Sequence, residues 1–599
     1  MSATTLGGSR RRSLVLACAA VAFAAADTYV VVLALPDMMT GVGLTIVELQ
    51  RAAPIVSGFL LGYVAMLPLL GRIADLRGRV PVLVGSLVVF AIGSMVTATA
   101  FDLDTMVAGR FLQGVGAGGL VPATLGLVAD LWPPERRGLP LGAVGAVQEL
   151  GSVLGPLYGA VVLAIGDWRL IFWLNLGFGV VLATALRLAH TTASPSAEDG
   201  ASDLGAAPLP RPTAPPDLLG AVLAVLTLVA LALLMIEPDA LTSNVTLGLA
   251  YVPYTGDSRW LTPLAVAVAG LAVLFVAWEL FARRPLLDLR GLRRLSHQTD
   301  MIGALLLGLA LAGVVLAFAT ADPQVQVFSP IGPWLLAASA VAAILFAWRQ
   351  RTAPYPLVTR GGISATPAWG SLAVSFFVGA SLIAALVDIP VFARVTVYQG
   401  SQLGAALVLV RFLVALPLGA LAGGWLTRRI SPGPLTAGGM ALSALAFAGM
   451  TQWSLYSLNG VAATLALVTG GFGFGLAIAP VNAAMLAATA AGVHGVASAL
   501  LVVARMIGML VGISVLTTLG LRHFYTVTAS LPTPTEVCGT NVVCDAYTKT
   551  IQEAGLAQMH GIFFGAMIAA LVAGGLALVL FRKVSAPGTS TTELLRAGA

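Results

Sequence analysis

Charge is what this chain has least of. Only 10% of its 599 residues are Asp, Glu, Lys or Arg, where ordinary soluble domains carry about a quarter. With 58% hydrophobic residues and a mean hydropathy of +0.94, a soluble globule is excluded. The five histidines (His190, His297, His494, His523, His560) lie apart, mostly near helix ends, and none forms a His-Glu-x-x-His pair. No serine sits in a Gly-x-Ser-x-Gly turn, and no Gly-x-x-x-x-Gly-Lys loop is present to cradle a nucleotide. An enzyme, a metal centre, a cofactor and ATP as power source are therefore not expected. Of the three cysteines, Cys18 falls inside an apolar run as a small packing residue. Cys538 and Cys544 share a polar loop, and could close a small disulfide ring if that loop faces an oxidising compartment.

What the chain has instead is apolar runs nearly end to end, each near the roughly 20 residues that cross a bilayer. Six lie at 13–36, 53–71, 80–100, 105–131, 138–163 and 168–189. Residues 190–216 then turn rich in Ala, Pro, Ser and Thr, with Pro208, Pro210, Pro212, Pro215 and Pro216, which reads as a linker. Four further runs follow at 217–236, 262–282, 300–320 and 331–348, and six more at 370–394, 404–427, 433–450, 460–488, 493–520 and 557–581. The expectation is an all-α polytopic membrane protein with about 16 crossing helices. Its parts would be a six-helix bundle over 1–190, a linker at 191–216, inserted helices over 217–366, a second six-helix bundle over 367–583 and a tail at 584–599. Arg10-Arg11-Arg12 precedes a run that continues to Pro36, too long for a cleaved signal core. The 67 glycines suit close helix packing in lipid.

The few basic residues are not scattered. Loop 71–79, the turn Pro134-Glu135-Arg136-Arg137, the stretch from Arg283 to Arg294, Arg349 with Arg351, Arg428-Arg429 and Arg582-Lys583 all fall on one side, whereas loops 237–261, 321–330 and 451–459 hold almost none. By the positive-inside rule the arginine side is cytoplasmic, both termini lie inside, and the long loops 237–261 and 521–556 face outward. This accounts for the net charge of +6 without a nucleic-acid partner. One internal echo, residues 273–286 against 344–357, is as well explained by Trp and Arg favouring the membrane interface as by duplication of a helix pair.

Four segments stand out in order along the first bundle. Gly71-Arg72-Ile73-Ala74-Asp75-Leu76-Arg77-Gly78-Arg79 lies between the second and third runs. Asp27 through Ala34-Leu35-Pro36 lies in the first run, Gly109-Arg110 through Gly118 in the fourth, and Gly151 through Gly155-Pro156 to Gly159 in the fifth. Together they resemble the drug:proton antiporter branch of the major facilitator superfamily. The resemblance implies two six-helix bundles facing each other across a substrate cavity, with linker helices between. A narrower resemblance, to the mycobacterial triacylglyceride exporters, rests on Asp27 to Val32, Gln148 to Gly159, Leu386-Val387-Asp388 and Val502 to Leu510. It implies a lipid cargo and an extracytoplasmic lipid-binding lipoprotein as partner. The second linker pair, about 290–350, departs from it.

A charged side chain at mid-bilayer costs at least about 2.5–3.5 kcal/mol, so each needs a reason. Asp27 stands halfway along the first run with no basic residue within a turn. Burial disfavours its charged form, which suits uptake and release of a proton as the cavity opens to either side; the plain alternative is a hydrogen bond to a neighbouring helix. Glu149 and Arg505 lie one in each bundle. Paired, they would latch the bundles until Glu149 is protonated; alternatively Glu149 braces Arg110 within its own bundle. By resemblance Arg110 affects proton transfer, though it could equally be structural, buried against carbonyls or an acid. Asp388 and Arg411 are candidate cavity charges that could pair. Arg72, Asp75 and Arg79 with Asp130, and the glycines Gly71 and Gly78, resemble a cytoplasmic gating cluster. Gly151, Gly155, Pro156 and Gly159 permit close packing and a bend. The expected function is proton-coupled export of a hydrophobic or amphipathic compound from the cytoplasmic membrane, a triacylglyceride-like lipid first, by a monomer working through alternating access. A multidrug antiporter is the alternative, and a non-transporting receptor or scaffold the remote one.

Overall fold

In lipid every backbone N–H and C=O must find its partner within the chain, so apolar runs of this length have one economical solution. A computed structural model, describing residues 3–44, 49–191, 217–282, 300–319, 329–358, 361–398, 402–529, 545–582 and 584, shows sixteen long helices. The first six are α1 (Ala3–Gly41), α2 (Leu49–Arg77), α3 (Arg79–Ala98), α4 (Leu103–Leu131), α5 (Gly138–Ile165) and α6 (Arg169–Thr191). Then come α7 (Leu218–Ile236), α8 (Pro263–Phe281), α9 (Met301–Ala319) and α10 (Gly332–Thr352). The last six are α11 (Thr366–Val395), α12 (Gln402–Leu426), α13 (Pro432–Met450), α14 (Val461–Ala487), α15 (His494–Thr528) and α16 (Asp545–Leu580). Among the described residues fourteen of these are long and apolar enough to cross a membrane; α1 and α5, whose side chains are described in part, are 39 and 28 residues long.

The two bundles repeat one packing scheme. In the first, α5 lies on α1, and α4 lies on both α2 and α3, with α6 beside α3. In the second, α15 lies on α11, and α14 on both α12 and α13, with α16 beside α13. The bundles meet along two seams, α2 against α15 and α5 against α12. The linker helices form two hairpins. The pair α7–α8 touches the first bundle near the end of α3, where Arg259 stacks on Phe101 at 4.4 Å. In the pair α9–α10, α9 lies along α2 and α15, with Leu311 and Val315 buried in the same apolar cluster as Phe59, Tyr63 and Val502. Asp300, just before α9, is buried and pairs with Arg349 of α10 at 3.0 Å.

Two helix boundaries differ from those of the apolar runs, although Leu521-Arg522-His523-Phe524-Tyr525 already reads as α15 continuing past the membrane. The apolar runs end near 520 and begin again near 557, but α15 continues to Thr528 and α16 begins at Asp545. At about 1.5 Å per residue, the 35 and 36 residues of these helices each span about 50 Å, against about 30 Å of hydrocarbon. Residues 521–528 are polar enough to leave the apolar run, yet contain no Gly or Pro to stop a helix. The linker 191–216 beyond Thr191, the basic stretch 283–294, the tail from 585, and both Cys538 and Cys544 lie outside the described residues.

Candidate functional site

Three layers of charge run from the arginine-rich end of the helices to the middle of the first bundle. The outermost begins at Gly78, whose φ of +92° suits glycine because a Cβ disfavours the left-handed region; it separates α2 from α3 with a single residue and swings Arg79 back over α2. Arg79 binds Asp75 one turn earlier and gives its Nε to Asp130 of α4 at 3.0 Å. The carboxylate of Asp75, its side chain wholly buried, then reaches across to the second bundle. It accepts the backbone N–H groups of Gly495 (2.8 Å) and Val496 (3.1 Å) at the start of α15. Those N–H groups have no partner within their own helix, and the positive end of its dipole favours an anion. Arg72 donates to the carbonyl of Gly492 at 3.1 Å. Contact is so close that a Cβ on Gly71 would stand 2.6 Å from the Gly495 carbonyl oxygen. At the other seam the backbones of Gly138 and Gly142 in α5 meet Gly424 and Ala420 in α12 equally closely. The arginine-rich end is thus closed along both seams.

Deeper in, Arg505 of α15 faces Glu149 of α5, Nη1 to Oε1 at 3.6 Å, and the two bundles are joined by opposite charges. Beside them is a small cavity of about 40 Å³ between the bundles, lined by Val121, Val144, Val378, Ile478 and Leu501 among other apolar side chains. Its polar lining is Gln148, Ser375, Asn482 and Arg505. Such a wall suits an apolar cargo with few polar groups.

The third layer lies inside the first bundle. Asp27, 1% exposed, receives Arg110 Nη1 on Oδ2 at 2.8 Å and Asn175 Nδ2 on Oδ1. Arg110 also donates to Gln113 Oε1 at 2.8 Å, and Gln113 in turn donates to Ser94 at 2.8 Å. The guanidinium lies 4.5 Å from the centre of the Phe59 ring, an attractive placement for a cation. Gly151 and Gly155 bring α5 onto Ala22 and Ala26 of α1, so α1 is held by its small residues with Asp27 turned to α4 and α6. Gly159 is buried, while the side chain of Pro156 lies outside the described residues.

Several expectations about pairing resolve here. Arg110 binds an acid of another helix, Asp27, and Glu149 faces Arg505 rather than Arg110. Asp27, which has no basic neighbour along its own helix, acquires one from α4. The pairing of Asp388 with Arg411 is absent: Arg411 donates to Thr464 of α14 at 3.0 Å, because α12 packs against α14 and turns that side chain away from α11. Asp388 is 7% exposed on α11 and has no ion-pair partner among the described residues. Sequence reasoning missed Asn175 and passed over Gln113 and Ser94. The available signal was a lone Asn amid Phe172-Trp173-Leu174 and Leu176, since a polar side chain in lipid needs a partner.

Comparison with known proteins agrees with this architecture. The family model described as Major Facilitator Superfamily matches residues 17–354. The chain is 34% identical over 516 residues to a triacylglyceride transporter of Mycolicibacterium hassiacum, covering 84% of this chain and 78% of the relative. It is 33% identical over 537 residues to the triacylglyceride transporter of Mycobacterium tuberculosis, covering 87% and 85%. Among solved structures, the human organic anion transporter MFSD10 superposes with a TM-score of 0.51 at 15% identity, covering 95% of this chain and 99% of that one, which speaks for the fold alone. Repeated six-helix bundles, the loop from Gly71 to Arg79 docked on the second bundle, the buried Asp27–Arg110 pair and the sequence relatives converge: this multi-pass membrane protein belongs to the Major Facilitator Superfamily.

Proposed function

We propose that the protein exports a hydrophobic or amphipathic compound, first of all a triacylglyceride-like lipid, across the cytoplasmic membrane by proton-coupled alternating access. The observation that carries this reading is the apolar cavity between the bundles, sealed at the arginine-rich end and bordered by the Glu149–Arg505 pair. Relatives at 33–34% identity named triacylglyceride transporters support the choice of cargo. At about 40 Å³ the cavity is far below the roughly 300–1,000 Å³ of a site that holds a drug-sized molecule, so it must widen as the bundles part before a three-chain lipid can enter.

With the arginine side cytoplasmic by the positive-inside rule, and both termini there, the described arrangement is the cytoplasm-closed state. The proton cycle we infer uses two acids. Protonation of Glu149 removes the charge facing Arg505 and loosens the bundles at mid-depth. Protonation of Asp27 releases Arg110 from its anionic partner and reorients α1 against α4 and α6. The bundles then rock as bodies, since lipid does not tolerate unpaired backbone. On the far side, α15 and α16 extend past the hydrocarbon as a pair, with Gly520 and Gly561 in contact. That extension suits delivery of cargo to an extracytoplasmic lipid-binding lipoprotein.

The test compares the unmodified chain and Asp27→Asn in proteoliposomes with an imposed pH gradient, following a fluorescent triacylglyceride and ethidium. Gradient-driven lipid movement that is lost in Asp27→Asn is the expected result. Movement of ethidium alone would make the protein a drug antiporter, and no movement of either would favour a receptor or scaffold. Equal movement in Asp27→Asn would remove the proton role of Asp27.

A further inference from the structure

His494 belongs to none of the motifs above, yet it stands at the centre of the closure. It is the first residue of α15, 3% exposed. On one side of it Arg72 holds the carbonyl of Gly492; on the other, Gly495 and Val496 give their N–H groups to Asp75. The residue therefore lies between the backbone contacts that dock α15 onto the first bundle. Nε2 lies 3.2 Å from the carbonyl oxygen of Thr489, so this nitrogen carries the hydrogen of the neutral ring. Nδ1 is buried with no hydrogen-bond partner among the described residues.

We propose that His494 is the proton-sensing residue of this closure: neutral, it lets α15 dock on the first bundle, and protonated, it drives the two bundles apart at the arginine-rich end. An imidazolium has a hydrogen on each nitrogen, and the second would point into a site with no acceptor. The site is also the N-terminus of a helix, whose dipole opposes a cation. The charges that reach the ring are Arg137 from the turn before α5, Arg79 from α3 and Asp130 from α4. Asp130 already serves Arg79, and Asp75 of α2 is engaged by Arg79 and by α15 itself. Arg137 is tied to the carbonyls of Trp132 and Ala129, so its positive charge cannot swing away.

Once the bundles part, the ring meets water and titrates near the ordinary histidine value of about 6.5. The open form then takes up a proton that the closed form excludes. Closure is favoured above that pH and weakens below it. For one such group the open-to-closed ratio rises about tenfold between pH 7.5 and pH 5.5. The device makes opening toward the arginine-rich side respond to the acidity of that compartment, independently of the acids deeper in the bundles.

The experiment measures inter-bundle distances by pulsed electron resonance on the full-length chain with Cys18, Cys538 and Cys544 replaced by serine. Spin labels sit at Arg136→Cys and Arg428→Cys, both exposed and in opposite bundles. The expected result is a closed-to-open shift of about tenfold from pH 7.5 to 5.5, absent in His494→Gln and in His494→Asn. His494→Lys, which keeps a charge throughout, is expected to be open at both pH values. A parent distance distribution that does not change with pH overturns the proposal. So does a full shift retained in whichever neutral variant is monodisperse, which would assign the response to Asp75, Asp130 or the deeper Glu149 instead.

Discussion

At the scale of single residues, opposite charges in the membrane are worth most to the protein when neither can be removed alone. Breaking a buried pair by deleting one partner costs about 3–5 kcal/mol, and the Asp27–Arg110 pair, with side chains 0% and 1% exposed, meets that condition fully. Arg110→Gln is therefore expected to lower thermal stability sharply, and Asp27→Asn/Arg110→Gln together to recover part of the loss, read by thermal unfolding in detergent. The Glu149–Arg505 pair is looser, at 3.6 Å with side chains 10% and 13% exposed beside a cavity. Glu149→Gln should cost less stability and instead shift the bundles toward the state open at the arginine-rich end, as read by the same distance measurement. A double-mutant cycle with Arg505→Gln showing no coupling would remove the latch.

Elements matter here chiefly through close approach. Gly71 and Gly495 let α2 and α15 cross at backbone distance, and a side chain at 71 has no room, its Cβ falling 2.6 Å from a carbonyl oxygen. Gly71→Leu is expected to keep the fold, because the clash exists only when the bundles meet, but to abolish closure and with it gradient-driven transport. A chain that still closes and transports at the native rate would contradict the role given to this contact. Helix ends carry the same message: α15 starts with N–H groups that its own turns cannot satisfy, and the first bundle supplies the missing carboxylate through Asp75.

On the scale of the whole molecule, the two seams between bundles are not equivalent. Helix α9 lies over the α2–α15 seam, with Leu69 of α2 only 8% exposed in a cluster that contains Ala304 and Leu357. On the helices of the other seam, Leu154 of α5 and Leu418 of α12 are exposed (47% and 58%). A spin label at Leu418→Cys should show high accessibility to dissolved oxygen in a bilayer, and one at Leu69→Cys low accessibility. Equal values would mean that α9 leaves α2 in the membrane.

The number, length and class of the elements were legible in the sequence because crossing lipid imposes a local rule: about 20 apolar residues per helix, with arginines gathered at one end. Asp27, Arg110, Glu149, Arg505 and the loop from Gly71 to Arg79 stood out for the same reason, as charges and glycines where lipid penalises them. The partners were not legible. That Asp27 meets Arg110 and Asn175, that Arg411 turns to Thr464, that Asp75 caps a helix about 420 residues away and that His494 lies between two gate contacts depend on how helices rotate and cross. Rotation is settled by packing among residues far apart in the chain, glycine against backbone and side chain into gap, and hydropathy along one helix holds no record of it. The extension of α15 was suggested by Leu521-Arg522-His523-Phe524-Tyr525; that of α16 was hidden because a helix leaving the membrane loses its apolar signature while its backbone continues unchanged.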